Sequence, residues 1–296
     1  MFGLPTITTD QAAAAFGSAT GAEPAIMLLA GLVVLGRLVG FMMVAPFFGS
    51  MNIPMTARMG LAVVLTAVIT PLMLSTAVPA VAAAGQGLGL LLLLVNQVLI
   101  GVMMGFVPAF VFYAVESAGR IIDTQRGSNI TDIIAPQTGE RTSPVGQWLM
   151  MIALMILVLS NQHLLMLDAL IDSFKVFPAT ASLDWIGNPL NGDTKLIEHF
   201  ANMSGAMLEM TMKIAAPAMI SLMLADILLG IINRGAPQVN VFALSQVIKG
   251  PIGIGALLVA IASIVAYIET DAIPGIFKGD ASIHHLVDLM RAGGHM

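Results

Sequence analysis

Residues 59–115 read MGLAVVLTAVITPLMLSTAVPAVAAAGQGLGLLLLLVNQVLIGVMMGFVPAFVFYAV, and in this run between Arg58 and Glu116 there is no Asp, Glu, Lys or Arg. A soluble domain keeps so long an apolar run in water only behind an amphipathic exterior, and the rest of the chain has little polar surface to offer. Of 296 residues, 57% are hydrophobic and 10% charged, where an ordinary soluble domain carries roughly 25% charged residues. A bilayer crossing takes about 20 mostly apolar residues. Lipid gives the backbone no hydrogen-bond partner, so helices are the natural solution. The chain therefore reads as an all-α, polytopic membrane protein.

Working outward, six apolar segments appear, at about 25–48, 58–78, 87–115, 146–167, 204–232 and 250–268. Ala45-Pro46-Phe47-Phe48-Gly49 and Ile53-Pro54 break the chain between the first two, because proline and glycine disfavour a continuous helix. The third segment is longer than a simple span and is expected to tilt, kink or run past the bilayer. Two polar connections, about 116–145 and 168–203, separate the middle segments, and the tail after 270 is mixed. Residues 1–24 hold Asp10 and Glu23 but no Lys or Arg, unlike a signal peptide. Loop cations are Arg58, Arg120, Arg126, Arg141, Arg234 and Lys249 on one side, Lys175, Lys195, Lys278 and Arg291 on the other. That margin leaves orientation open under the positive-inside rule.

Several chemistries are excluded. With no cysteine there is no disulfide, thiolate metal site or cysteine nucleophile. A net charge of −5 argues against nucleic acid, which calls for a basic stripe. Walker, His-Glu-x-x-His and Gly-x-Ser-x-Gly motifs are missing, so neither an ATPase nor a hydrolase is indicated, and no cofactor is expected. His284 and His285 are adjacent, a spacing that does not put two ligands on one helix face. His163, inside an apolar segment, reads as a packed histidine.

Ionisable residues inside apolar segments are costly and call for an account. They are Arg37 in the first segment and Glu209, Lys213 and Asp226 in the fifth. Glu209 and Lys213 have the i, i+4 spacing, acid first, of a helical ion pair. Two readings stand: a structural pair with Arg37 and Asp226 anchored on neighbouring helices, or an ion or proton path. Gly36/Gly40 and Gly101/Gly105 carry the four-residue spacing that lets membrane helices approach closely. Met203, Met207, Met210, Met212, Met219 and Met223 crowd the fifth segment, flexible side chains that suit either packing or a deformable gate.

Two polar stretches are more specific. One runs Glu116-Ser-Ala-Gly-Arg120-Ile-Ile-Asp123-Thr-Gln125-Arg126-Gly127 and continues at Ala135-Pro136-Gln137-Thr138-Gly139-Glu140-Arg141-Thr142-Ser143-Pro144. The other is Ala236-Pro237-Gln238-Val239-Asn240-Val241-Phe242, reaching Lys249. With Arg37, Ala45-Pro46, Ile53-Pro54 and Arg58 in order, they resemble the SctT family of type III secretion export-apparatus proteins, whose flagellar relative is FliR. The Gly-Arg-x-x-Asp-x-Gln-Arg-Gly run resembles the injectisome branch more than the flagellar one. Val247 departs from the family, which usually has proline there, so the backbone from Phe242 to Lys249 is expected to bend less.

The resemblance implies a non-enzymatic core subunit of the export gate in the bacterial inner membrane. Its implied partners are SctR and SctS homologues, an SctU-type protein and, transiently, unfolded exported proteins. It implies an SctR-like part over residues 1–200, an SctS-like hairpin over 201–268, and a polar tail over 269–296. It also implies that some helices are not conventional spans. Residues 127–145, with Gly127, Pro136, Gly139 and Pro144, are then a plug-like loop whose expected anchors include Arg120, Asp123, Gln125, Arg126 and Arg141. Pro237, Gln238, Asn240 and Lys249 are assigned to the hairpin turn and assembly. A secondary transporter using Arg37, Glu209, Lys213 and Asp226 is the alternative, although the paired broken helices of such proteins are not evident.

Overall fold

The computed structural model describes residues 24–48, 54–85, 87–128, 143–176, 195–238 and 240–276, together with 283, 285, 286 and 288. All six apolar segments form helices. Helix α1 is Pro24–Val44, α2 Met55–Ala84, α3 Leu88–Arg126, α4 Pro144–Leu159, α5 Gln162–Val176, α6 Lys195–Gly235 and α7 Val241–Tyr267. A π-helical turn, Ile268–Ala272, and a short turn at Ile273–Gly275 follow α7. No strand occurs among the described residues.

The helices differ from the sequence expectation at their ends and breaks. Helix α3 carries the third segment on to Arg126, so the polar connection begins later than residue 116. The Arg120 guanidinium pairs with Glu116 one turn back at 2.6 Å, and Arg126 closes the last turn at the negative end of the helix dipole. Gly127, at φ 76°, then ends the helix, a conformation that costs glycine little. The fourth segment is not one helix. Helices α4 and α5 meet at a 72° bend, where Asn161 adopts φ 57°, a left-handed geometry that asparagine tolerates better than most residues. Helix α7 begins at Val241, nine residues before the expected 250, because Asn240 caps it by accepting the Ala243 N–H at 3.2 Å.

By length and composition, α1, α3, α6 and α7 can each cross a membrane; the bent α4–α5 pair is a fifth candidate if it forms one span. The apolar part of α2, Met55–Pro71, is shorter.

The chain divides into two compact units, one of residues 1–109, 163–201 and 277–296, the other of 110–162 and 202–276. In the first, α1 packs on α2 through Ala30, Leu74 and Ala77, while Val33, Val81 and Leu93 bring in the start of α3. Gly40 and Gly101 set the spacing of α1 and α3. A side chain at 40 would strike the Val98 carbonyl, and one at 101 the Arg37 carbonyl. Here the glycine spacing read from the sequence is a backbone contact that no larger residue fits.

In the second unit α6 and α7 form an antiparallel hairpin that turns at Pro237-Gln238. Its register follows from two contacts: Asp226 pairs with Lys249, and Leu222 lies against Gly253. Thr211, Ala215 and Ala218 on α6 and Leu257, Ala260 and Ile264 on α7 are buried as well. Small and medium residues thus line one seam, the pattern that allows close helix approach.

Candidate functional site: a loop root and a helical hairpin

The connection from α3 to α4 is fastened at both ends to one residue. Asp123, in the last turn of α3, is fully buried. On the incoming side, the Ser128 N–H and hydroxyl donate to the Asp123 carbonyl oxygen at 3.1 and 2.8 Å. On the outgoing side, the Ser143 hydroxyl and the Val145 N–H donate to Asp123 Oδ2 at 2.7 and 2.9 Å. The other carboxylate oxygen faces Arg126 Nη1 at 3.3 Å. Ser143 also caps α4, accepting the Gly146 N–H at 3.1 Å, with Pro144 at the first helical position, where a missing N–H costs nothing. The described ends of the connection, Ser128 and Ser143, therefore meet at one buried residue, the first at its main-chain carbonyl and the second at its carboxylate. Charged hydrogen bonds of this kind are stronger than neutral ones, and inside a protein their loss is costly.

Of the expected loop anchors, Asp123 and Arg126 meet at this root. Arg120 instead pairs with Glu116, largely exposed, and Gln125 sits half-buried on α3. Pro136, Gly139 and Arg141 lie outside the described residues. Ser143 was not among the expected anchors. Its signal was present as Ser143-Pro144 ahead of an apolar run, a helix-start pattern.

The hairpin closes on the same root. The Cγ and Cδ atoms of Arg126 occupy the space where a Cβ on Gly253 would stand, the latter 2.5 Å from it, and Gly127 lies under the Gln246 side chain. Helix α6 is held to α3 by Thr211, whose hydroxyl approaches the Ala114 carbonyl at 3.2 Å. Asn240 caps α7, while Pro237 and Gln238 sit exposed in the turn. Lys249 points back to Asp226 on α6, a partnership the sequence reading did not pair. Glu209 and Lys213 form the i, i+4 ion pair at 2.7 Å, both well exposed, with Lys213 5.9 Å from the Tyr267 ring centre. Helix α7 runs unbroken from Val241 past Val247 and Lys249.

In the first unit Arg37 is fully buried. Its Nε donates to Gln97 Oε1 at 2.9 Å and its Nη1 to the Ser173 hydroxyl at 3.1 Å, and its guanidinium lies 4.1 Å from the Phe174 ring centre. His163 stacks near Phe47, 5.8 Å between ring centres. No group of three or more candidate metal ligands occurs among the described residues. The methionines divide: Met203 and Met104 are buried, whereas Met212, Met223, Met151 and Met155 are exposed.

Residues 28–272 match the family described as Bacterial export proteins, family 1. The chain is 30% identical to the flagellar biosynthetic protein FliR of Bacillus subtilis over 218 residues, 74% of this chain and 80% of that protein. It is 32% identical to Yop proteins translocation protein T of Yersinia pestis over 163 residues, 55% of this chain and 60% of that protein. It is also 27% identical to the surface presentation of antigens protein SpaR of Salmonella typhimurium over 162 residues, 55% and 58% of the two. Against these last two relatives, the chain spans about three fifths of their length.

Proposed function

The chain belongs to family 1 of the bacterial export proteins, and on that premise we propose that it is the SctT-type core subunit of a type III export gate. A role in an export apparatus of the cytoplasmic membrane follows from the family. The finer reading is that this chain joins SctR- and SctS-type partners, beside an SctU-type protein, in the inlet of the channel. Unfolded proteins pass through it, and the 127–145 loop obstructs it at rest. The observation that carries this reading is the loop root: a polar, glycine- and proline-bearing segment returns to one buried residue between apolar helices. Irregular backbone among such helices belongs in a protein-lined or aqueous space, not in lipid. A channel barrier needs a segment tied at its ends, and the glycine and proline in this one's sequence disfavour a continuous helix.

The transporter reading is weaker, because each of its four residues already has a partner within the chain. Glu209 pairs with Lys213, Asp226 with Lys249, and Arg37 with Gln97 and Ser173. The injectisome reading rests on the Gly119-Arg120-x-x-Asp123-x-Gln125-Arg126-Gly127 run; a flagellar gate differs in client and not in mechanism. Capture of the chain from native membranes, with mass spectrometry of what accompanies it, tests all three. The proposal expects SctR- and SctS-type proteins in fixed ratio with the chain. Flagellar counterparts would move the assignment to that branch, and recovery of the chain by itself in monodisperse form would overturn the gate reading.

A further inference from the structure

We propose that His199 and His285 form a two-imidazole site for a divalent transition-metal ion of the zinc class, joining the C-terminal tail to the start of α6. His199 lies near the beginning of α6 and is buried, while His285 is half-buried. Both belong to the first compact unit. Their Nδ1 atoms face each other at 3.2 Å, and the ring centres stand 5.2 Å apart with the planes at 34°. Ile283 and Leu286, before and after His285 in the sequence, are fully buried, so the imidazole is presented from a packed segment. Phe200 meets the His199 ring edge-on, 5.8 Å between centres, and apolar neighbours of this kind limit solvent access to an ion. The adjacent His284 and His285 do not share a helix face. The second ligand comes instead from α6, 86 positions away in the chain.

A zinc-class ion holds each imidazole nitrogen about 2.0–2.1 Å away in a tetrahedron, which sets two such nitrogens about 3.3–3.4 Å apart. The 3.2 Å between the two Nδ1 atoms is close to that bite, whereas it lies at the long limit of an N–H hydrogen bond. Binding requires no net loss of protons. Each neutral imidazole carries one proton, and with the ion on Nδ1 that proton sits on Nε2. Imidazole suits zinc, copper and nickel, and the tetrahedral spacing favours zinc. Among the described residues no third His, Asp or Glu groups with the pair, so water completes the shell and the ion exchanges, unlike the ion of a closed structural site. His285 lies beyond residue 272, where the family match ends. The site therefore stands apart from the stretch on which the export reading rests.

The chain has no cysteine, which removes the strongest competing ligand from its own sequence. Complexes captured from native membranes, stripped with a chelator and dialysed, are titrated with Zn²⁺ alone by calorimetry. Relative to the His199→Ala, His285→Ala double variant, the parent should bind one further Zn²⁺ per chain. Each single alanine variant should weaken that event by at least about tenfold. The double variant should lose little more than either single one, as two ligands of one ion require. His284→Ala should leave the event unchanged. Should His199→Ala fail to assemble, His285→Ala, in the tail, decides alone. Equal Zn²⁺ affinity in the parent and in assembled His285→Ala would overturn the site and leave the pair as a hydrogen bond between two imidazoles. A loss in His284→Ala as large as that in His285→Ala would overturn it too, since the ion would then be held adventitiously by neighbouring tail histidines.

Discussion

Arg37 and the Glu209–Lys213 pair look alike in the sequence, as charges inside apolar segments, and the structure treats them in opposite ways. Arg37 is fully buried and depends on residues 60 and 136 positions away for its hydrogen bonds. Glu209 and Lys213 satisfy each other within one turn of α6 and remain exposed. The first arrangement is tertiary: it exists only when α1, α3 and α5 are all in place. The second travels with its helix whether or not anything packs against it. A charge in an apolar helix is therefore a poor guide to function until its partners are counted, because local pairing and distant pairing respond differently to mutation.

The largest effect is expected at Arg37. Arg37→Ala leaves a cavity and deprives Gln97 and Ser173 of their buried partner, a loss of about 3–5 kcal/mol from those two causes together. Thermal unfolding of the purified complex should show a much lower midpoint, or no folded complex should be recovered. A midpoint equal to the parent's would mean that Arg37 is not the tertiary anchor its burial indicates.

Asp123 should come next. Asp123→Ala removes the acceptor for Ser143 and Val145 and the counter-charge of Arg126, an expected local cost of about 2–4 kcal/mol. Asp123→Asn keeps one oxygen in place and should cost less. Limited proteolysis measures both, with cleavage in 129–142 fastest for the alanine variant and intermediate for the asparagine one. Equal cleavage in all three proteins would show that the loop is held elsewhere.

The smallest effect belongs to Glu209 and Lys213. Single alanine replacements should lower recovery of the complex slightly, because exposed helical pairs contribute little, and exchanging the two charges should restore part of the loss, as coupling requires. Normal assembly in each single variant, with secretion no longer dependent on the proton-motive force, would instead make the pair a relay and revive the transport alternative.

What was legible in the sequence follows from how local each feature is. The uncharged run between Arg58 and Glu116 announces membrane helices because hydropathy is a property of the segment itself. The glycines at 40 and 101 were readable as a packing motif, since a close backbone approach admits no other residue. The bend at Asn161 was not readable, because asparagine adopts the left-handed region only where the surroundings call for it. The joining of Asp226 to Lys249 was hidden for a different reason. Their partnership depends on the register of the hairpin, which neither residue carries alone. Asp123 was recognisable as an anchor by its place beside the loop, but its partner Ser143 lies on the far side of fourteen intervening loop residues, 129–142. Only the fold brings the two together.

The central claim is that the loop closed on Asp123 is the resting barrier of an export channel. It is tested most directly by shortening residues 129–140 in steps, with Arg126 and Arg141 retained, and recording passive ion leakage through complexes whose partner recovery matches the parent. The account predicts leakage that rises as the loop shortens, while assembly is unchanged. Several fully assembled deletions as tight as the parent would contradict it, and the barrier would then have to be sought among the methionine-bearing faces of α6.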